Sequence, residues 1–126
     1  MYMDKKRILI VDDEPDLVEF VKIRLEANDY QVLTAMDGMQ ALEVVEQDKP
    51  DLIILDILLP KMNGYEVCEK LKKDPEFSKV PILMLTAKAQ EKDMVLAKKA
   101  GADAYISKPF EASLLLFHIK DLLEKK

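Results

Sequence analysis

Short, continuously apolar runs alternate along this chain with longer amphipathic ones. Ile8 to Val11 is the first apolar run. A segment of helical periodicity follows from Pro15 to Asn28, with the proline where a first-turn proline is tolerated. Gln31 to Ala35, with its Val and Thr, reads as a second short strand, and Asp37 is placed to cap a helix running to about Gln47. Asp51 to Asp56 is a third strand. Gly64 to Lys73 is a helix that Asp74-Pro75 ends. Val80 to Leu85 is a fourth strand, and Gln90 to Ala100 a helix closed by Gly101. Ala104 to Ser107 is a short fifth strand, and after Pro109 a last helix runs from about Glu111 to the C-terminus.

Five strand–helix units in succession predict an α/β fold. The central runs ILIV, LIIL and PILML lack polar alternation, as expected of parallel strands covered on both faces. The expected architecture is a doubly wound, five-stranded parallel sheet in the order 2-1-3-4-5. There is no internal repeat, low-complexity segment or linker, so residues 1–126 are expected to form one domain.

Composition narrows the picture in a few places. With 126 residues and 49% hydrophobic content, the chain is long enough for a self-sufficient core. Both charge signs are interspersed, the net charge is -5 and no basic stripe is present, which argues against direct nucleic-acid binding. The single cysteine, Cys68, cannot form an internal disulfide and reads as a small buried hydrophobe in a reducing compartment. No signal-peptide pattern opens the chain, and no apolar run approaches the about 20 residues that span a bilayer. No membrane insertion is expected, and the expected location is cytoplasmic. The seven methionines read as core filler, and His118, alone on a helix, as neither phosphoacceptor nor ligand.

The chemistry lies where apolar runs stop. In DLIILDILLP an aspartate, Asp56, stands where the run could have continued. An unpaired carboxylate in an apolar setting costs several kcal/mol or takes up a proton. Ligands of this fold bind outside the carboxyl ends of the strands, at the switch point between strands 1 and 3. Strand 1 ends in Asp12-Asp13, with Glu14 next, strand 3 in Asp56, strand 4 in Thr86 and strand 5 in Lys108. Taken singly these residues are ordinary: Asp12-Asp13 could cap a helix, and Lys108 could be a surface lysine. Taken together they bring three carboxylates to one edge, where like charges need neutralising. Oxygen-only donors suit a hard cation, Mg²⁺ or Mn²⁺ before Zn²⁺, and Lys108 adds a compact positive charge suited to a phosphoryl oxygen.

The stretches ILIVDDEPD, DLIILDILLPKMNG, VPILMLTA and GADAYISKPF resemble, in order and at similar spacings, the receiver domains of two-component response regulators. The resemblance covers nearly the whole chain and implies a flavodoxin-like (βα)5 fold like that of the chemotaxis regulators. It implies that Asp56 is the phosphoacceptor, charged by a sensor histidine kinase or a phosphotransfer protein, with Mg²⁺ as cofactor. It makes Asp12, Asp13, Asp56 and the backbone carbonyl of Leu58 the metal ligands. Lys108 and Thr86 join Asp56 in the chemistry, and the amide of Ala87 helps hold the phosphoryl oxygens. Thr86 and Tyr105 form the switch, and the Lys108-Pro109 bond is expected to be cis. The fourth helix, fifth strand and fifth helix then present a changed surface to a downstream effector domain or protein. Leu17 and Phe20, left over from the core stripe of the first helix, are candidates for docking the kinase.

Some positions depart from the pattern. Leu58 and Lys88, two residues after Asp56 and Thr86, flank the path of attacking water, and Leu58 is expected to slow loss of the phosphate. Regulators with winged-helix outputs dimerise through charged pairs where this chain has Ala104, Leu114 and His118, so a monomer or a weak phosphorylation-dependent dimer is expected. Two other classes compete. A hydrolase of the haloacid-dehalogenase type wants an acid where Leu58 stands. A flavodoxin-like electron carrier wants a Ser/Thr/Gly-rich phosphate loop where Asp12-Asp13-Glu14 stands.

Overall fold

A computed structural model of the protein describes residues 5–87 and 91–124. In chain order the elements are β1 (Arg7–Val11), α1 (Pro15–Ala27), β2 (Gln31–Ala35), α2 (Gly38–Asp48), β3 (Leu52–Asp56), α3 (Gly64–Lys73), β4 (Ile82–Thr86), α4 (Glu91–Ala100), β5 (Ala104–Ser107) and α5 (Ala112–Glu124). All strand pairs are parallel, and the sheet order is β2-β1-β3-β4-β5. The expected doubly wound architecture is therefore the one observed.

The three central strands are apolar throughout because both of their faces are covered. Leu9, Val11, Ile53, Leu55, Ile82 and Met84 pack with Ala41, Val45, Val67, Cys68, Leu71 and Ala97 from α2, α3 and α4. The alternate residues Ile8, Ile10, Leu52, Ile54, Leu83 and Leu85 pack with Val21, Leu25, Leu115, Ile119 and Leu122 from α1 and α5. The two-residue period of a strand thus sorts one continuous run into two separate cores. Cys68 lies in the first, its Sγ 3.4 Å from the Ala100 carbonyl, and burial pushes its thiol up to about 11.

Most element ends agree with the sequence signals. Asp37 caps α2 through a bond from the Gln40 amide (2.8 Å), and Gly101 follows α4 at φ 101°. The fourth strand differs: it starts at Ile82 rather than Val80. Pro81 has no N–H to give a ladder, the Val80 carbonyl is taken by Lys72 Nζ at 2.9 Å, and the Ile82 amide donates to Asp103 at 2.8 Å. The last helix starts at Ala112, with the Glu111 carbonyl accepting from Leu114 and Leu115. Gln90, the expected start of the fourth helix, lies outside the described residues. The methionines also differ from expectation. Met84 is buried, but Met36, Met39 and Met94 are exposed and Met62 is half-buried.

The β3–α3 connection is held tightly behind the sheet edge. The Gly64 amide donates to the Ile57 carbonyl (2.8 Å), and Asn63 and Glu66 form a reciprocal capping box at the start of α3. A Cβ on Gly64 would press into the Asp56 carbonyl oxygen and lie 2.8 Å from Ile57 Cα, so glycine is required there by close approach of backbone. Gly64→Ala should therefore cost about 1–3 kcal/mol of stability, by overpacking against atoms that cannot move aside. Denaturant unfolding that shows no loss would contradict this.

Candidate functional site

Each candidate side chain sits where a strand hands over to a loop. The Asp12 amide still bonds the Ala35 carbonyl of β2 (3.1 Å), so Asp12 extends β1 by one residue. Asp56 is the last residue of β3, paired with Leu85 of β4. The Lys108 amide donates to the Thr86 carbonyl at 2.7 Å, which ties the residue after β5 to the end of β4. Sheet hydrogen bonds thus set the backbone of the whole cluster.

The carboxylates of Asp12, Asp13 and Asp56 converge, with one oxygen from each lying within 4.8 Å of the others. Asp12 and Asp56 are buried and Asp13 is exposed. Lys108 Nζ donates to Asp12 Oδ2 (2.9 Å), Glu14 Oε1 (3.0 Å) and Asp56 Oδ2 (3.2 Å). The other Asp12 oxygen accepts from the Glu14 amide (2.9 Å), and Asp56 Oδ1 accepts from the Leu58 amide (3.2 Å).

Burial raises the Asp56 carboxyl above its ordinary value, and the Asp12 charge pushes it the same way. The Lys108 charge and the bonds from the Leu58 amide and Lys108 pull it down without prevailing. Burial alone would lower Lys108, but its hydrogen bonds to Asp12 and Glu14, with the charges of Asp12 and Asp56, raise it overall and keep it protonated. The site holds one firmly cationic group against an acid that is costly to ionise.

The first α1 residues do not use Asp12 or Asp13 as the helix cap. Glu14 occupies that position, its side chain makes no capping bond, and Asp12 is turned to Lys108 and the Glu14 amide. The helix-cap alternative for the pair is thereby set aside.

Thr86 ends β4 and is fully buried, and Ala87 beside it is exposed. Lys88 lies outside the described residues. Tyr105 is half-buried against the core under α3 and α4, and the Lys108-Pro109 peptide is cis. Leu58 is 52% exposed at the mouth of the site. On α1, Leu17 is half-buried against the inner core, whereas Phe20 is exposed with the Arg24 guanidinium 4.1 Å from its ring centre.

A family model described as a response regulator receiver domain matches residues 8–120. The chain belongs to this family. It is 46% identical over 120 residues to the Bacillus subtilis alkaline phosphatase synthesis transcriptional regulatory protein PhoP, covering 95% of this chain and 49% of that protein. Among solved structures it is similar to a putative response regulator from Chloroflexus aurantiacus (TM-score 0.92, 35% identity, 96% and 99% of the two chains). It is also similar to a CheY-like receiver domain protein from Methanospirillum hungatei (TM-score 0.89, 38% identity, 95% and 94%). The chain spans about half the length of the curated relatives it matches. It is a receiver domain of phosphorylation-dependent signalling, and neither the hydrolase nor the electron-carrier alternative finds support. Among the described residues, no helix is long and apolar enough to cross a membrane.

Three contacts of this receiver domain were not foreseen. Glu14 reaches Lys108, and Leu58 offers its amide to Asp56. Asp93, in the first turn of α4, is buried beside two tyrosines. Its carbonyl accepts from the Tyr65 hydroxyl (3.3 Å), and its Oδ2 has no hydrogen-bond partner among the described residues. Burial, then the Asp93 charge, raises both Tyr65 and Tyr105. Nothing in an acid in the first turn of a helix distinguishes it from a surface charge that favours the helix dipole.

The raised Asp56 carboxyl has a sign. A carboxyl whose folded pKa lies above its unfolded value weakens the fold as pH rises through that folded value. Asp56→Asn should therefore stabilise the metal-free protein at neutral pH. The gain should vanish below about pH 3.9, the ordinary aspartate value, where both forms are neutral. Urea unfolding at the two pH values checks this, and an Asn variant less stable at neutral pH would refute it.

Proposed function

We propose that Asp56 accepts a phosphoryl group from the phosphohistidine of a sensor histidine kinase or a phosphotransfer protein. The observation that carries this is the approach of the Lys108 ammonium to Asp56 beside the Asp12 and Asp13 carboxylates. A carboxylate oxygen of Asp56 attacks phosphorus, the P–N bond to the donor imidazole breaks, and the imidazole leaves with the bonding electrons. With acetyl phosphate the P–O bond breaks and acetate leaves. Such transfer depends mainly on positioning and charge neutralisation, which the receiver itself largely provides.

The all-oxygen donor set of Asp12, Asp13 and Asp56, with the Leu58 carbonyl, suits Mg²⁺ or Mn²⁺, which when bound would supply charge neutralisation at the phosphoryl oxygens. Lys108 offers a further donor, and the Ala87 amide another. The Thr86 hydroxyl turns to the new oxygens and the Tyr105 ring follows, so that α4, β5 and α5 present a different surface to an effector domain or protein. The domain acts on itself in this way, in the cytoplasm, as a signalling element that takes up and slowly loses its own phosphate. Residues 1–126 form one receiver unit, monomeric or weakly dimeric when phosphorylated. The exposed Phe20, more than the half-buried Leu17, is the accessible part of the proposed kinase-docking surface on α1.

Incubation with Mg²⁺ and acetyl phosphate should give a phosphate adduct in intact mass that Asp56→Asn abolishes. No adduct, with a histidine kinase also failing to transfer, would overturn the assignment. Leu58, exposed beside the acceptor, should shield the acyl phosphate from water. Leu58→Asn should then shorten the phosphate's lifetime several-fold in a chase after donor removal, and an unchanged rate would count against the shielding role.

A further inference from the structure

Lys108 has three ammonium hydrogens, and in this structure all three have carboxylate acceptors: Asp12, Glu14 and Asp56. A phosphoryl oxygen can be engaged only if one of these contacts is given up. Asp12 is not free to leave, since its side chain is fully buried and its second oxygen holds the Glu14 amide. The Asp56 contact can pass to a phosphoryl oxygen joined to that residue, so Lys108 stays beside it, and a second phosphoryl oxygen then needs a hydrogen from another contact. Glu14 has a side chain 61% exposed, with water available to replace the ammonium.

Glu14 also stands in an unusual position for this contact. It is the N-cap residue of α1, extended at φ -95° and ψ 107°, where a short polar side chain would accept a first-turn amide. Its own side chain makes no such bond. Its backbone is held by the Asp12 carboxylate at the amide and by the Val18 amide at the carbonyl (3.1 Å). From that fixed base the carboxylate crosses to Lys108 instead of capping the helix.

We propose that Glu14 is a positioning residue that restrains Lys108 in the unmodified domain and competes with the phosphoryl group for one of its hydrogens. This rests on the phosphoacceptor assignment of Asp56. Glu14 thereby sets how much of the Lys108 interaction is available to the modified state, without touching the phosphoryl group itself.

Two measurements on the intact protein test this. In the metal-free protein, the side-chain ammonium resonance of Lys108 in nitrogen-resolved NMR should move in Glu14→Gln and stay in place in Glu19→Gln. Glu19 is an exposed acid of α1, so that variant removes the same charge farther along the same helix. At Mg²⁺ concentrations shown to saturate each variant, beryllium fluoride, a phosphoryl mimic, should bind Glu14→Gln about two- to fivefold more tightly than the parent, the range of an exposed ion pair. Glu19→Gln should bind it like the parent. Equal or weaker binding by Glu14→Gln, or an unmoved Lys108 resonance, overturns the proposal. Failure of the parent itself to take up beryllium fluoride would instead overturn the phosphoacceptor reading on which the proposal stands.

Discussion

The contact between the Lys108 ammonium and the carboxylates of Asp12, Glu14 and Asp56 governs the edge of this sheet. Two unit charges about 4 Å apart interact by about 4 kcal/mol at an effective dielectric of about 20. Asp12, Asp13 and Asp56 crowd within a comparable distance, so their mutual repulsion is a substantial fraction of what holds a small domain together. One ammonium offsets part of this. Four carboxylates including Glu14 still face it, and the excess negative charge makes the place receptive to a cation and costly to leave without one. The elevated Asp56 carboxyl expresses the same imbalance from the side of the acid.

Strand parity separates this charged cluster from the parts proposed to respond to it. Asp12 and Asp56 continue the alternation of Ile10 and Ile54, whose core lies under α1 and α5. Thr86 continues the alternation of Ile82 and Met84, and Tyr105 packs in that same core under α3 and α4. At the sheet edge the two sets are joined where the Lys108 amide holds the Thr86 carbonyl. A change of charge at Asp56 is thus one strand away from a residue on the other face. Beyond it, at the start of α4, the buried Asp93 carboxylate has an oxygen without a hydrogen-bond partner among the described residues. A group of that kind is a point where packing is least satisfied, and a shift of α4 is cheapest where fewest bonds must break.

Much of this was legible in the chain because strand ends are sharp chemical boundaries. ILIV passing into Asp12, LIIL into Asp56 and PILML into Thr86 each mark the place where burial stops and chemistry begins. The fold was readable for a related reason: short runs apolar at every position, alternating with amphipathic ones, are what strands covered on both faces give. Contacts that depend on side-chain reach were not readable. Glu14 follows two aspartates and looks like one more first-turn acid, and only the structure shows its carboxylate turned to Lys108. Asp93 has the composition of a solvated helix start, yet it is buried, with the hydroxyl of Tyr65 from α3, remote in sequence, donating to its carbonyl. The methionines failed as core markers because flexible, unbranched side chains fit exposed positions as well as buried ones. The start of β4 was displaced by Lys72 and Asp103, long-range partners that captured the backbone groups of Val80 and Ile82.

The site breaks a rule that the rest of the molecule keeps. Along β1, β3 and β4 the buried side chains are apolar until the sheet edge, where the chain places Asp12 just after β1, Asp56 at the end of β3 and Thr86 at the end of β4. Such local conflict is tolerated only where the surroundings determine the geometry regardless. Here they do: Asp56 is held from the front by its pairing with β4, and from behind by the close approach of Gly64 to its carbonyl. The buried strands supply rigidity and carry Asp56 and Thr86 on their last residues, while Asp12, Asp13 and Lys108 follow directly after strand ends. For the buried pair Asp12 and Asp56 the conflict of like charges has little structural escape, because both are fixed at strand ends. Adding or removing charge relieves it most directly, which fits the cation and the phosphoryl group proposed for the edge of this sheet.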